Sequence, residues 1–214
     1  MAAESVEGRS VFVNCPYDED YRSTLLHPLL FTLLWGGLAP RIAIERNDSG
    51  EQRMAKVCDL IETADFTIHD LSRARALKAG DAQRMNMPFE LGVAYGYRRF
   101  AGGGASSQRS LVMVATDDDA REAISDFGGM DTTAHGESPR KLVGVVRNWI
   151  LDTADVAGIS PAGFIWNRFQ DYNGSFYSER SFDGYDDDDI YDMPVTERIR
   201  FMTEWIERAR QRLS

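Results

Sequence analysis

Two carboxylates stand where chemistry could be done. Asp70 stands next to last in the run Asp65–Leu71 (DFTIHDL), and Glu90 follows Pro88 in Asn86-Met87-Pro88-Phe89-Glu90-Leu91-Gly92. Paired carboxylates suit cleavage of a glycosidic bond: one attacks or steadies an oxocarbenium-like centre, the other handles a proton or orients the sugar. Around them lie Asn14-Cys15-Pro16-Tyr17 after one strand-like run, Glu45-Arg46-Asn47-Asp48 after a second, and His69-Asp70-Leu71-Ser72 after a third. From these segments the candidate ligand contacts are Asn14, Pro16, Tyr17, Arg46, Ser72 and Asn86, with Arg84 added from the loop before Asn86. Arg46 and Arg84 are the cations that could hold a phosphate. Plainer readings exist for both acids, a first-turn glutamate favoured by the helix dipole and an aspartate capping a turn.

The elements that must carry these residues alternate between strand-like and helix-like patterns, which predicts a parallel sheet covered by helices. Ser10–Asn14 (SVFVN), Arg41–Glu45 (RIAIE), Asp65–Leu71 and Ser110–Ala115 (SLVMVA) read as strands. A helix over Leu25–Leu34 ends at Gly36-Gly37 and is kinked or delayed by Pro28. Ser49 with Gln52 predicts a capping box opening a second helix, and Pro88 sits in the first turn of a third. Gly92 and Gly96, one turn apart, would admit a ligand or a close neighbour. Ser138–Leu151 predicts a helix with Leu142, Val145, Val146, Trp149 and Ile150 inward, and Thr196–Leu213 a strongly amphipathic one. The aromatic, acidic stretch Asp152–Asp192 reads as irregular. The expected fold is therefore α/β: a flavodoxin-like doubly wound parallel sheet of about five strands with helices on both faces. Residues 1–150 would form that domain, and 151–214 an extension, ending in a long helix, packed on it. In such sheets ligands bind beyond the carboxyl ends of the strands, where both carboxylates fall.

Charge and composition exclude several classes. The 214 residues include 24 Lys and Arg against 34 Asp and Glu, a formal charge of −10 that disfavours direct nucleic-acid binding. The acidic runs Asp117–Asp119 and Asp186–Asp189 read as solvated loops rather than metal sites, and no metal is expected. The longest apolar run, Leu29–Trp35, falls far short of a membrane span, and Met1–Arg9 has no signal-peptide character, so a cytoplasmic protein is expected. Cys15 and Cys58 make no disulfide framework. Neither a G-x-G-x-x-G after the first strand nor a G-x-x-x-x-G-K-[ST] occurs, which disfavours an ordinary dehydrogenase or P-loop enzyme.

The segment Glu90-Leu91-Gly92-Val93-Ala94 after a proline turn resembles the E-[IL]-G-x-A segment of nucleoside 2-deoxyribosyltransferases, and Asp70 in His-Asp-Leu-Ser resembles the aspartate those enzymes set against the sugar. Val11–Tyr17 sits where they, and the related TIR domains, begin their nucleoside pocket. The resemblance covers roughly the first 115 residues. It implies an N-glycosidic bond as target, Glu90 as nucleophile or cation-stabilising carboxylate, Asp70 as its partner, and Tyr17 bordering the base. The extension after Ser138 is unlike a compact transferase and favours a TIR-like hydrolase, cleaving NAD to nicotinamide and ADP-ribose. NAD is then a substrate and no cofactor is needed. By the same resemblance a homo-oligomer and a role in antiphage defence are expected. The alternatives are a deoxyribosyltransferase or nucleoside hydrolase, and a non-catalytic nucleotide-binding or signalling domain.

Overall fold

The computed structural model describes residues 9–74, 85–116, 129–154, 156 and 158–212. They form two compact units. The first takes the described residues within 1–17, 37–43 and 48–136; the second takes those within 18–36, 44–47 and 137–214. The division therefore does not follow the expected boundary at residue 150, because residues 18–36 group with the C-terminal part of the chain.

The first unit is built on strands β1 (Ser10–Asn14), β2 (Ala39–Arg41), β3 (Phe66–Asp70), β4 (Arg109–Val114) and β5 (Thr133–Ala134). Their order is β2-β1-β3-β4-β5 and every pair is parallel, the flavodoxin-like arrangement. β3 is buried along its whole length, as a central parallel strand should be. β2 starts and ends earlier than the expected Arg41–Glu45, and Ala43–Glu45 forms a 3₁₀ turn instead. Ile42 and Ala43 are adjacent and both buried, which breaks the two-residue alternation that a longer strand would need. Pro40 lacks an N–H and is tolerated because β2 is an edge strand.

Helices α3 (Arg53–Thr63) and α4 (Asn86–Phe100) cover one face of this sheet. Phe12 packs there against Ala43, Val57, Leu60, Ile61, Ala64 and Ala94, and farther along Met87 and Leu91 meet Val112 and Val114. The expected capping box at Ser49 and Gln52 is absent. Asp48 instead accepts a bond from Gly50 N at 2.9 Å, closing a turn that delays the helix to Arg53, with Gln52 as an N-cap lacking a side-chain bond. At the other end of α3, Gln108 Nε2 donates to the carbonyls of Ile61 and Ala64, both at 2.8 Å, satisfying acceptors that the helix leaves open.

The second unit opens with α1 (Glu19–Tyr21), a π turn over Arg22–Leu26, and α2 (His27–Trp35). Pro28 explains the π turn: it has no N–H for the carbonyl four residues back, and the widened turn accommodates its ring. α2 is apolar almost all round, with Leu29, Leu30, Phe31 and Leu33 fully buried. It ends at Gly36 and at Gly37, whose φ of 76° favours glycine. A Cβ on Gly36 would lie 3.0 Å from Ile150 Cδ1 of α5 (Pro139–Thr153), so the glycine also permits a close helix approach. α5 buries Leu142, Val146 and Ile150 as expected, together with Val143, and leaves Val145 and Trp149 half-buried.

The stretch expected to be irregular instead holds α6 (Ala162–Phe182), a 21-residue helix whose Ile165, Phe169, Tyr172 and Phe176 repeat at 4, 3 and 4 residues. Exposed aromatics such as Phe164, Tyr177 and Phe182, and two internal glycines, mask that period in the sequence. The run Asp186–Asp189 is likewise not a loop: it caps and opens α7 (Asp187–Tyr191) through a reciprocal Asp186–Asp189 capping box, with its charges at the favourable end of the dipole. α8 (Val195–Gln211) closes the unit, burying Val195, Arg198, Met202 and Ile206. Asp117–Asp119 lies outside the described residues. No helix among the described residues is long and apolar enough to cross a membrane.

Candidate functional site

Parallel strands in register point paired residues to the same face, so Phe12, Asn14, Thr67, His69 and Val112 share the face that α3 and α4 cover. Asn14, at the carboxyl end of β1, is 4 % exposed and its amide nitrogen is fully used. Nδ2 donates to His69 Nδ1 at 3.0 Å and to the carbonyl of Met87, in the first turn of α4, at 2.9 Å. One side chain thus ties β1 and β3 to the helix that carries Glu90. Because Asn14 must donate, His69 Nδ1 accepts and the ring proton sits on Nε2, which is buried with no partner among the described residues. Burial lowers the His69 pKa to about 3, so the ring is neutral at physiological pH. Phe12 lies edge-on to that ring at 6.2 Å.

Glu90 lies one turn beyond Asn86, with 5 % of its surface exposed. Its Oε1 is 3.7 Å from Arg53 Nη2, at the start of α3, and the arginine side chain is mostly exposed. Burial raises the Glu90 pKa, and the Arg53 charge and hydrogen bond pull it partly back. The result is a desolvated carboxylate whose one ion pair among the described residues is with Arg53. Gly92 and Gly96 are on the same helix, and no described atom lies within 4 Å of where their Cβ atoms would be. They are therefore not glycines of close packing among the described residues, and they lie on the exposed side of α4 with Phe89 and Tyr95, away from Glu90.

Asp70 has a different setting. Strand alternation sends its side chain to the face opposite His69, and it is fully buried. Oδ2 accepts from His135 Nε2 at 3.1 Å, and Oδ1 accepts from Ser72 N at 2.9 Å and from the Ser72 hydroxyl. His135 is also fully buried and follows β5, its own N–H bonded to the carbonyl of Val114. This Asp–His–Ser cluster fastens the short edge strand and the β3 loop to the centre of the sheet. The two candidate carboxylates thus carry separate partner sets on opposite faces, not the single paired arrangement that the sequence suggests.

Among the other sequence candidates, Tyr17 is 40 % exposed, Asn86 is exposed, and Pro16 is buried. Arg46 belongs to the second unit and is half-buried. Ser72 is buried against Asp70, and Arg84 lies outside the described residues. Arg53 and His135 were not read from the sequence. Arg53 could have been, as the first cation of a helix that follows a strand; His135 could not, because a two-residue strand leaves no periodic signal. Cys15 and Cys58 form no disulfide with each other. No protein-family model and no curated protein matches this chain.

Proposed function

We propose that this chain is a cytoplasmic N-glycosidase that hydrolyses NAD to nicotinamide and ADP-ribose, with Glu90 as the carboxylate that steadies the sugar cation. The observation that carries the reading is Glu90 itself: a nearly buried carboxylate past the carboxyl edge of a parallel sheet, with Arg53 as its one ion-pair partner among the described residues.

The chemistry follows from charge. As the C1′–N bond breaks, the pyridinium takes the bonding pair and leaves as neutral nicotinamide, so no proton donor is required. The ribose is left as an oxocarbenium-like centre, which a desolvated carboxylate stabilises more strongly than a hydrated one. Water then adds to C1′ and releases its proton. One carboxylate suffices for this, whereas departure of a purine from a nucleoside calls for protonation of the base. Asp70, buried and bonded to His135 and Ser72, is poorly disposed to supply that proton, which favours a cationic leaving group over a nucleoside. Asp70 is then a residue that braces the strand ends, and Arg53 is the cation in reach of a substrate phosphate. A homo-oligomer and the defence role belong to the same proposal.

One observation favours a second reading. Glu90 and Asp70 are each already ion-paired or hydrogen-bonded, as in a domain that binds a nucleotide without turning it over. Chromatography after incubation with NAD and with a deoxynucleoside panel separates the readings. Nicotinamide release lost in Glu90→Gln supports the glycohydrolase, free base from deoxynucleosides the transferase or nucleoside hydrolase, and binding without product in either protein the non-catalytic domain.

A further inference from the structure

In the second unit, α6 and α8 meet along two stripes. Arg168, Ser175 and Glu179 of α6 are spaced by seven and four residues, and α8 presents Trp205, Arg208 and Ala209 one turn apart. Those are the intervals of a packed helix seam, where large aliphatic residues interdigitate. Here Ser175 and Ala209 occupy it, and a groove of about 200 Å³ remains. Its wall is fixed: the Trp205 indole N–H donates to Ser175 Oγ at 2.9 Å, the Ser175 hydroxyl donates to the Tyr172 carbonyl at 3.1 Å, and the indole packs against the rings of Phe31 and Tyr172.

The charge of the lining opposes that of the chain. Arg168, Arg208 and Arg212 line it with one carboxylate, Glu179, and Asp171 pairs with Arg168, so the groove carries about one net positive charge in a protein whose formal charge is −10. Arg168 is oriented by an ion pair with Asp171 at 2.8 Å and by the Phe164 ring beneath it, and Arg208 reaches Glu179 at 3.5 Å. A guanidinium has five N–H donors, so one ion pair apiece leaves most of them unspent. Arg168 Nε is buried with no partner among the described residues.

We propose that this groove binds a small molecule through a phosphate or diphosphate group. Guanidinium forks match tetrahedral oxyanions, and three arginines around one groove can share the several oxygens of a phosphate where a carboxylate offers two. The volume admits the phosphate and the beginning of its ester, not a whole dinucleotide. The site is independent of the glycosidase reading.

Calorimetric titration with inorganic phosphate, pyrophosphate and adenosine monophosphate tests it, run on the native chain, Arg208→Gln, Arg168→Gln and Ala209→Leu. Saturable binding that weakens about ten-fold in each arginine variant and disappears in Ala209→Leu is expected, since leucine fills the groove and leaves every charge in place. A preference for pyrophosphate would assign a diphosphate, and one for the monophosphate nucleoside a nucleotide ester. Absence of binding to any of the three probes, or binding that Ala209→Leu leaves intact, overturns the proposal. Circular dichroism of each variant separates loss of the site from loss of the fold.

Discussion

Replacing Asn14 by alanine removes the one side-chain donor among the described residues that joins β1, His69 and α4. Both acceptors it serves, His69 Nδ1 at 3.0 Å and the Met87 carbonyl at 2.9 Å, are in buried residues. Leaving a buried polar group unpaired costs about 1–3 kcal/mol, so two of them set the loss at about 2–4 kcal/mol if water recovers part of it. For a chain of this size that is a fall in Tm of about 5–15 °C. Asn14→Asp keeps the shape and loses the donor. Its carboxylate faces the Met87 carbonyl and stabilises a protonated His69, so acidification should harm this variant less than it harms Asn14→Ala. Thermal unfolding of the three proteins at pH 7 and pH 5 measures both effects. A fall in Tm below about 2 °C for Asn14→Ala would refute the reasoning, because it would mean that Asn14 serves a ligand and not the frame.

Three further outcomes are expected. Burial lowers the pKa of His27 and of His69 from 6.5 to about 3, so the unfolded chain binds protons that the folded one refuses. Stability due to these groups is full above pH 6.5 and is lost progressively as the pH falls toward 3, read by denaturant titration across that range. Gly36→Ala should lower stability by about 1–3 kcal/mol, since the added Cβ lies 3.0 Å from Ile150 Cδ1, and an unchanged denaturation midpoint would show that Ile150 simply moves aside. His135→Ala strips a buried partner from Asp70 and should cost about 3–5 kcal/mol, whereas Asp70→Asn, which keeps an acceptor, should cost less; the reverse order in denaturant would contradict the bracing role.

The legible parts of the fold are those where local chemistry and tertiary context agree. SVFVN, DFTIHDL and SLVMVA are β-rich runs that become central strands within a residue or so of the expected bounds. Gly36-Gly37 and Pro139 mark helix ends by backbone chemistry alone. RIAIE misleads because its alternation ends when Ile42 and Ala43 are both drawn into the interior. α6 misleads in the opposite way: aromatics on its exposed side hide a regular buried stripe. At the candidate site, Glu90 could be placed from its helix start and Arg53 marked as the first cation of its helix, but that the two meet could not be read. The pairing of Glu90 with Arg53 joins residues 37 positions apart through the packing of α3 on α4, and the separation of Asp70 from Glu90 depends on the parity of one strand. Such facts arise from register and helix packing, which no short motif encodes.

The central claim is tested most directly by chromatography of NAD after incubation with the purified protein and with Glu90→Gln. The account predicts nicotinamide and ADP-ribose from the native chain, and a loss of about 10²–10³-fold in rate for Glu90→Gln, the scale on which one electrostatic group at a developing charge acts. The acid limb of the native rate should lie above the ordinary glutamate range, because the raised Glu90 pKa means its carboxylate is protonated at a higher pH. Nicotinamide released equally by the native and Glu90→Gln proteins, or by neither at high protein concentration, would contradict it.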